Sequence, residues 1–322
     1  MRPVASEGTI VALQHLTYLA AVARERHFGR AAEACHVSQP TLSAGIRRLE
    51  QQLGVPLVQR EHHFQGLTPE GERMLEWAHR ILADCDGMQR DLVAMRDGLS
   101  GRLRLGAIPT TLPSIALLTA PLRRRHEGIT LTVESLTSRE IERGLHDFEL
   151  DVGLTYLDNE PLRGVRTLAL YRERYVFLTR AVGRYALMEA IAWEDAAAAP
   201  LCLLSRSMQN RRIVDRLFGS VGTAPQPILE TNSIATLYSH VRDQQMHTVM
   251  AHTWLRLFGG VPAGMRAIPL VEPDASQQIG LVWLDRDPEA LLARALVNTA
   301  RDSPLEVLLD QGVPHVPLEP AA

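Results

Sequence analysis

The sequence predicts an α+β multidomain chain: a small helical head, one long helix, and a larger α/β part built of two similar lobes. Three observations carry this. Residues 13–53 repeat apolar side chains at helical spacing in three short blocks. Residues 68–100 read as one long helix with a continuous apolar stripe that stutters once. Beyond residue 102, short apolar strand runs alternate with amphipathic helix patterns, and a similar alternation returns from about residue 200. The 322 residues suffice for two or three domains of roughly 100–200 residues each. A composition of 46% hydrophobic and 22% charged residues is that of a globular protein with real cores. No apolar run approaches the ~18 residues of a membrane span. The N-terminal stretch MRPVASEGTIVALQHL lacks the charged start, long apolar block and small-residue cleavage site of an export signal, which predicts a cytoplasmic protein with no membrane partner.

In the head, Leu13, Leu16, Leu19, Ala20 and Ala23 mark one face of a first helix, which His27, Phe28 and Gly29 interrupt. A second helix, from Arg30 to Cys35, carries Ala31, Ala32 and Ala34, small enough for close helix contact. In the third, Ser38 is a good N-cap and Pro40 sits in the first turn. Leu42, Ile46, Leu49 and Leu53 then form an apolar stripe closed by Gly54. A short helix, a turn and a longer helix whose first turn carries Gln39, Thr41 and Ser43 fit a helix-turn-helix that sets its second helix in the major groove. Arg47 and Arg48, one turn further, reach phosphate or base. A plain three-helix bundle with a solvated polar face has the same pattern. VPLVQREHHFQGLTPEG then reads as two extended segments around a turn carrying Arg60, His62 and His63, a wing beside the third helix. Thr68 caps the next helix, with Pro69 at its first position.

These residues resemble the LysR-type transcriptional regulators. The resemblance rests on FGRAAEACHVSQPTLSAGIRRLEQQLGVPLVQR followed by LTPEG: paired alanines, S-Q-P at the head of the recognition helix, L-E near its end, L-G-x-x-L after it, then L-T and a small residue. It implies a winged helix-turn-helix (13–67), a dimerising linker helix (68–98), an effector-binding domain of periplasmic-binding-protein-like fold (99–303) and a C-terminal tail (304–322). By position, Ser38, Gln39, Pro40, Thr41, Ser43, Arg47, Arg48, Arg60 and His63 face double-stranded DNA. Two departures stand out: Ala44 and Gly45 replace a long polar or basic pair, and His63 replaces the wing's second arginine.

Along the long helix Leu75, Ala78, Leu82, Cys85, Met88, Leu92, Met95 and Leu99 follow steps of 3, 4, 3, 3, 4, 3 and 4, an a/d stripe with one stutter. A helix of about 30 residues runs roughly 45 Å, more than one small domain covers, so a partner helix is expected. That gives a homodimer through residues 68–98, extended to a homotetramer, on an inverted-repeat operator. DGLSGR, residues 97–102, reads as a hinge.

Lobe one is expected at about residues 102–175 plus 275–303, lobe two at about 176–270, both as mostly parallel α/β units. Ligands of such sheets bind beyond the strand C-termini. The candidate effector residues are therefore Pro109, Thr110 and Thr111 in lobe one, with Ser205, Ser207, Gln209, Asn210, Thr231 and Asn232 in lobe two. Hydroxyls and free N–H groups at helix starts suit a small anion or carboxylate, though each residue also reads as an ordinary cap. His247 and His252 lie near the expected rim, where they could read ligand charge or pH, and His252 joins the candidate effector residues, although a structural role is the commoner fate of a single histidine.

The CHVSQPTLS segment is close to that of the family's peroxide-sensing members, which use a cysteine pair after a lobe-two strand. Here Met208 and Leu217 stand at those positions, and Cys202 lies in the apolar run PLCLL. A disulfide switch is therefore disfavoured. HTVMAHTWL resembles members found beside formate-metabolism genes, which points to a small carboxylate effector and one-carbon or formate genes. Three scattered cysteines without a CxxC give neither a disulfide framework nor a zinc site. No G-x-S-x-G, H-E-x-x-H or P-loop appears, so neither an enzyme, nor a cofactor, nor a metal is expected. A solute-binding protein remains the alternative for the C-terminal part alone.

Overall fold

The computed structural model describes residues 11–60, 64–159, 161–243 and 246–310. The chain divides into two compact units, the first ending at Gly98 but also taking in His146–Glu149, the second made of Leu99–Leu145 and the residues from Leu150 on.

The first unit is helical. It comprises α1 (Leu13–Glu25), α2 (Phe28–Ala34), α3 (Gln39–Leu53), the hairpin β1 (Val58–Arg60) and β2 (Phe64–Leu67), and α4 (Pro69–Asp97). Its core sets Leu16, Leu19 and Val22 of α1 against Ala31 and Ala32 of α2 and Leu42, Ile46 and Leu49 of α3. The buried face of α1 is thus shifted from the predicted one: Leu13 is exposed, while Tyr18 and Ala21 are buried. His27, read from the sequence as an interruption, caps α2, its Nδ1 accepting from the N–H groups of Gly29 and Arg30 at 3.1 and 3.3 Å.

Gly71 is the small residue of LTPEG for a steric reason. A Cβ there would stand 2.0 Å from the Leu57 carbonyl oxygen, which already accepts the Thr68 N–H at 3.0 Å. The Thr68 hydroxyl accepts the Gly71 N–H at 2.9 Å and donates to the Pro56 carbonyl at 2.7 Å, so one side chain caps α4 and anchors it to the wing's approach.

The stripe on α4 divides in two. Ala78 is buried, and Met74, Leu75, Ile81 and Leu82 pack on the head's own core. Met88, Leu92 and Met95 are 59%, 62% and 85% exposed, so the surface left for a partner is the second half of the helix.

The second unit contains β3 (Gly101–Ala107), a 3-10 turn at Pro109–Thr111, α5 (Leu112–Arg125), β4 (Ile129–Ser135), α6 (Ser138–His146), β5 (Val152–Tyr156), β6 (Val165–Arg180), β7 (Ile191–Ala192), α7 (Trp193–Ala197), β8 (Cys202–Leu204), α8 (Gln209–Ser220), β9 (Leu229–Thr231), α9 (Ile234–Asp243), β10 (Thr248–Ala251), a 3-10 helix at His252–Phe258, β11 (Met265–Val271), β12 (Ser276–Leu284), α10 (Leu291–Arg301) and α11 (Leu305–Asp310). The main sheet runs β4-β3-β5-β12-β6-β11-β7, with β10 also on β6, and β8 pairs with β9 separately. Only the β4-β3-β5 part, the short β11–β7 contact and the β8–β9 pair are parallel; β12 and β6 join antiparallel. The expectation of two mostly parallel sheets is corrected accordingly.

The main difference from the sequence reading is β6. It pairs with β12 from Val165 to Arg174, then with β10 and β11 from Tyr175 to Arg180. The sequence reading ended lobe one at about residue 175; the strand runs unbroken through that point. Register slips by one residue between Tyr171 and Ala169 against β12, leaving Leu170 as a bulge. Residues 305–310, read as tail, form α11, with Leu305 and Leu309 buried.

Candidate nucleic-acid interface and inter-lobe cleft

The two faces of α3 differ sharply. Leu42, Gly45, Ile46 and Leu49 are buried, while Gln39, Pro40, Thr41, Ala44, Arg47 and Arg48 are exposed and Ser43 is half-buried. Ser38 caps the helix, its Oγ accepting the Thr41 N–H at 3.3 Å and lying 2.8 Å from the Thr41 hydroxyl. Nε of Arg47 reaches back to the Ser43 carbonyl at 3.4 Å. Gly45 belongs to the packing: a Cβ there would come within 2.6 Å of the Tyr18 ring. Of the Ala44–Gly45 pair, Ala44 alone leaves the exposed face short of a polar side chain. The hairpin pairs Val58 with Leu67 and Gln59 with Gly66. Its tip, with His63, and the Arg60 side chain lie outside the described residues. Sequence reasoning missed the role of Glu50, whose Oε1 accepts the N–H groups of Leu57 and Val58 at 3.0 and 3.2 Å and fixes the recognition helix to the hairpin.

In the second unit, some of the predicted effector residues converge and others do not. Thr110 and Asn210 meet at the Tyr156 hydroxyl, which accepts from Asn210 Nδ2 at 3.0 Å and lies 3.3 Å from the Thr110 hydroxyl. Tyr156 donates to Glu173 Oε1 at 2.5 Å. Gln209 accepts from the Ser138 hydroxyl, which is 3.0 Å from that of Thr155, and donates to the Asn159 carbonyl at 2.9 Å. The network thus joins β5 and the turns before α5 and α6 on one side to the first turn of α8 on the other, through the middle of β6. Thr110, Thr155, Glu173, Gln209 and Asn210 are all buried.

The remaining candidates have local work. Pro109 opens the 3-10 turn, and the Thr111 hydroxyl donates to the Ile108 carbonyl at 2.9 Å. Ser205 and Ser207 contact each other at 3.2 Å on the exposed approach to α8. Thr231 accepts the Ser233 N–H at 3.1 Å, and Asn232 is exposed. His252 is fully buried; its Nδ1 accepts the Arg174 N–H at 3.0 Å and its Nε2 lies 3.3 Å from Asp310, which also pairs with Arg174 at 2.6 Å. It fixes α11 to β6, so this candidate effector residue has a structural task instead. His247 stacks on Phe177, bonds to Thr179 at 2.8 Å and has its pKa pushed down to about 4 by burial and by Arg184. It is neutral at physiological pH. Gln245 lies outside the described residues.

Glu173 was not predicted. Burial pushes its carboxyl up to about 7, against the opposing pull of the polar groups of Tyr156, Thr110 and Asn210. A signal existed: along YRERY the even positions are polar, whereas Glu173 shares the inward face with Tyr171 and Tyr175.

Cys202 is buried in the core around β8 and α9, with Sγ 3.4 Å from the His247 carbonyl, and burial raises its thiol to about 11. Met208 is nine-tenths buried in the same core. Among the described residues no cluster of three His, Cys, Asp or Glu side chains could hold a metal ion, and no helix is long and apolar enough to cross a membrane.

Two family patterns cover most of the chain: "Bacterial regulatory helix-turn-helix protein, lysR family" over residues 13–72, and "LysR substrate binding domain" over residues 96–304. The chain belongs to the LysR family of transcriptional regulators. Members of that family are transcription factors, and this one carries its DNA-binding and substrate-binding halves in the family's order. The LysR-type regulator is 27% identical to the DNA-binding transcriptional dual regulator OxyR of Escherichia coli over 293 residues, 86% of this chain and 90% of that one. It is 36% identical to a probable hydrogen peroxide-inducible genes activator of Mycobacterium xenopi over 165 residues, 51% of this chain and 87% of that one. A full-length OxyR variant of Pseudomonas aeruginosa superposes with a TM-score of 0.74 at 26% identity, covering 92% of this chain and 99% of that one. CbnR complexed with its target DNA shares the fold, with a TM-score of 0.63 at 20% identity over 90% of this chain and 99% of that one.

Proposed function

We propose that this LysR-type regulator is a cytoplasmic homodimer, assembling to a tetramer, that binds an inverted-repeat operator through α3 and senses a small molecule in the inter-lobe cleft. The DNA half of the reading is supported by the exposed first turn of α3, with Gln39, Pro40, Thr41, Ser43, Arg47 and Arg48 on or beside one face and its buried stripe opposite. Ser38 caps that turn, and Arg60 and His63 belong to the wing. Dimerisation draws on the apolar, exposed second half of α4. The observation that carries the sensing half is the buried network of Thr110, Tyr156, Glu173 and Asn210, which spans both lobes. A ligand that breaks or completes it shifts the lobes, and operator affinity shifts by the same linkage. The carboxylate effector and the formate or one-carbon target genes expected from the sequence gain no support from a cleft whose buried charge is itself a carboxylate.

The names of the relatives favour a second reading, a response to peroxide. A thiol switch through Cys202 would need a thiolate that burial opposes, and Met208 is no thiol. Footprinting on the DNA upstream of the regulator's own gene tests the main reading. A protected inverted repeat is the expected result; no specific protection of any inverted repeat overturns it.

A further inference from the structure

Glu173 has no exposed surface, yet only one of its carboxyl oxygens is satisfied. Oε1 accepts from Tyr156; Oε2 is buried without a partner among the described residues. On the same face of β6, two residues away on either side, the buried hydroxyls of Tyr171 and Tyr175 also lack partners. Thr110 and Asn210 stand near the Glu173 carboxyl, Ser114 near Tyr171 and Tyr156 near Tyr175, without bringing Glu173 Oε2 or either tyrosine hydroxyl a partner in bonding geometry. Native interiors rarely strand one such group. Here three share one stripe, beside a network that already bridges the lobes.

The charges that act on Glu173 itself have one sign. β5 supplies Tyr156, and the turn after it supplies the exposed Asp158, whose carboxylate also pushes up the Glu173 and Tyr175 protons. The turn before α5 supplies Thr110, and α8 supplies Asn210. Arg216 of α8 faces Tyr175, but its guanidinium hydrogen-bonds Asn159 Oδ1 at 2.6 Å. No basic side chain pairs with Glu173 among the described residues. A carboxylate effector would meet two like charges; a donor with positive charge would meet a carboxylate oxygen waiting for one.

We infer that the cleft takes a small primary ammonium on Glu173. The inference rests on the reading of the inter-lobe cleft as the effector site. An –NH3+ group brings three donors, for the open carboxylate oxygen and the tyrosine hydroxyls beside it. Binding holds Glu173 ionised and ties β5 to β6 through the ligand.

Thermal melting of the full-length chain at pH 8 and constant ionic strength tests this with four salts: methylammonium chloride, tetramethylammonium chloride, sodium formate and sodium acetate. Methylammonium at ten times its half-saturating concentration raises the sensor-domain Tm by about 3–5 °C. Tetramethylammonium, which has the charge but no N–H, gives no such rise, and neither do formate or acetate. Glu173→Gln loses the methylammonium shift. If that variant does not fold, the wild-type comparison of the four salts decides alone. Absence of a methylammonium shift, an equal shift from tetramethylammonium, a shift from formate or acetate, or an undiminished shift in Glu173→Gln each overturns the inference. Footprinting separates the two readings: specific DNA binding without an ammonium response sinks the ligand class alone, whereas loss of specific DNA binding sinks the regulator reading.

Discussion

Replacing Tyr156 with phenylalanine removes one oxygen and leaves the ring's packing intact. That oxygen donates to Glu173 at 2.5 Å and accepts from Asn210 at 3.0 Å, both inside the buried network. At pH 8 Glu173 is ionised, so the first bond is charge-assisted, and such bonds are worth about 1.5–3 kcal/mol; stranding the Asn210 amide adds about 1–2 kcal/mol. The expected loss is ~3–5 kcal/mol. At pH 5 the carboxyl is protonated, the bond joins two neutral groups, and the loss falls to about 2 kcal/mol. Urea unfolding followed by fluorescence of Trp193 and Trp283, both buried in the sensor domain, reads the difference at each pH. A loss below about 1 kcal/mol at pH 8, or the same loss at both pH values, would refute the picture of Tyr156 as the node that holds a buried carboxylate.

Glu173 sets a second expectation through its pH linkage. Its folded pKa of about 7 lies above its ordinary value of 4.5, so between those two pH values the folded state binds more protons, and stability falls as pH rises through that window. His247, depressed to about 4 from 6.5, works the other way, losing stability as pH falls through 6.5. The wild-type minus Glu173→Gln difference should isolate the first slope, with a total of about 3 kcal/mol; a flat difference contradicts it. Arg47→Ala should weaken operator binding by about 5- to 150-fold in a gel shift with little change in Tm, and unchanged affinity would remove Arg47 from the interface. Cys202→Ser should leave any transcriptional response to peroxide as in wild type; a lost response restores the thiol switch. Leu92→Asp, in the exposed half of α4, should shift the chain toward monomer in sedimentation, and an intact oligomer would place the interface elsewhere.

The head was legible because its signals are local. Ser38, Pro40, Gly54, Thr68 and Pro69 each act within a few residues of where they stand, and the structure finds Ser38 and Thr68 capping as read. Glu50 escaped notice because its partners, Leu57 and Val58, form their bonds only once the chain has turned back. The α4 stripe shows a different limit: apolar spacing says which side of a helix is buried and nothing about what buries it, and here the head covers Leu75, Ala78 and Leu82. In the cleft, Thr110, Gln209 and Asn210 could be picked out as polar residues at helix starts. Their hub was harder to read: the alternation in YRERY marks an inward face, but a glutamate on it becomes an interior group only once β6 is flanked by β12 on one side and by β10 and β11 on the other.

One feature of β6 constrains how any signal crosses this domain. Its backbone is stitched to β12 over one stretch and to β10 and β11 over the next, so the halves of the sensor share a spine. A slide by one residue would turn every inward side chain outward and break both ladders. The handover between the two sets of partners falls at Arg174 and Tyr175, directly after Glu173, while the Leu170 bulge interrupts the β12 ladder three residues before it. Any change in the angle between the two halves therefore has to twist or bend a strand that belongs to both.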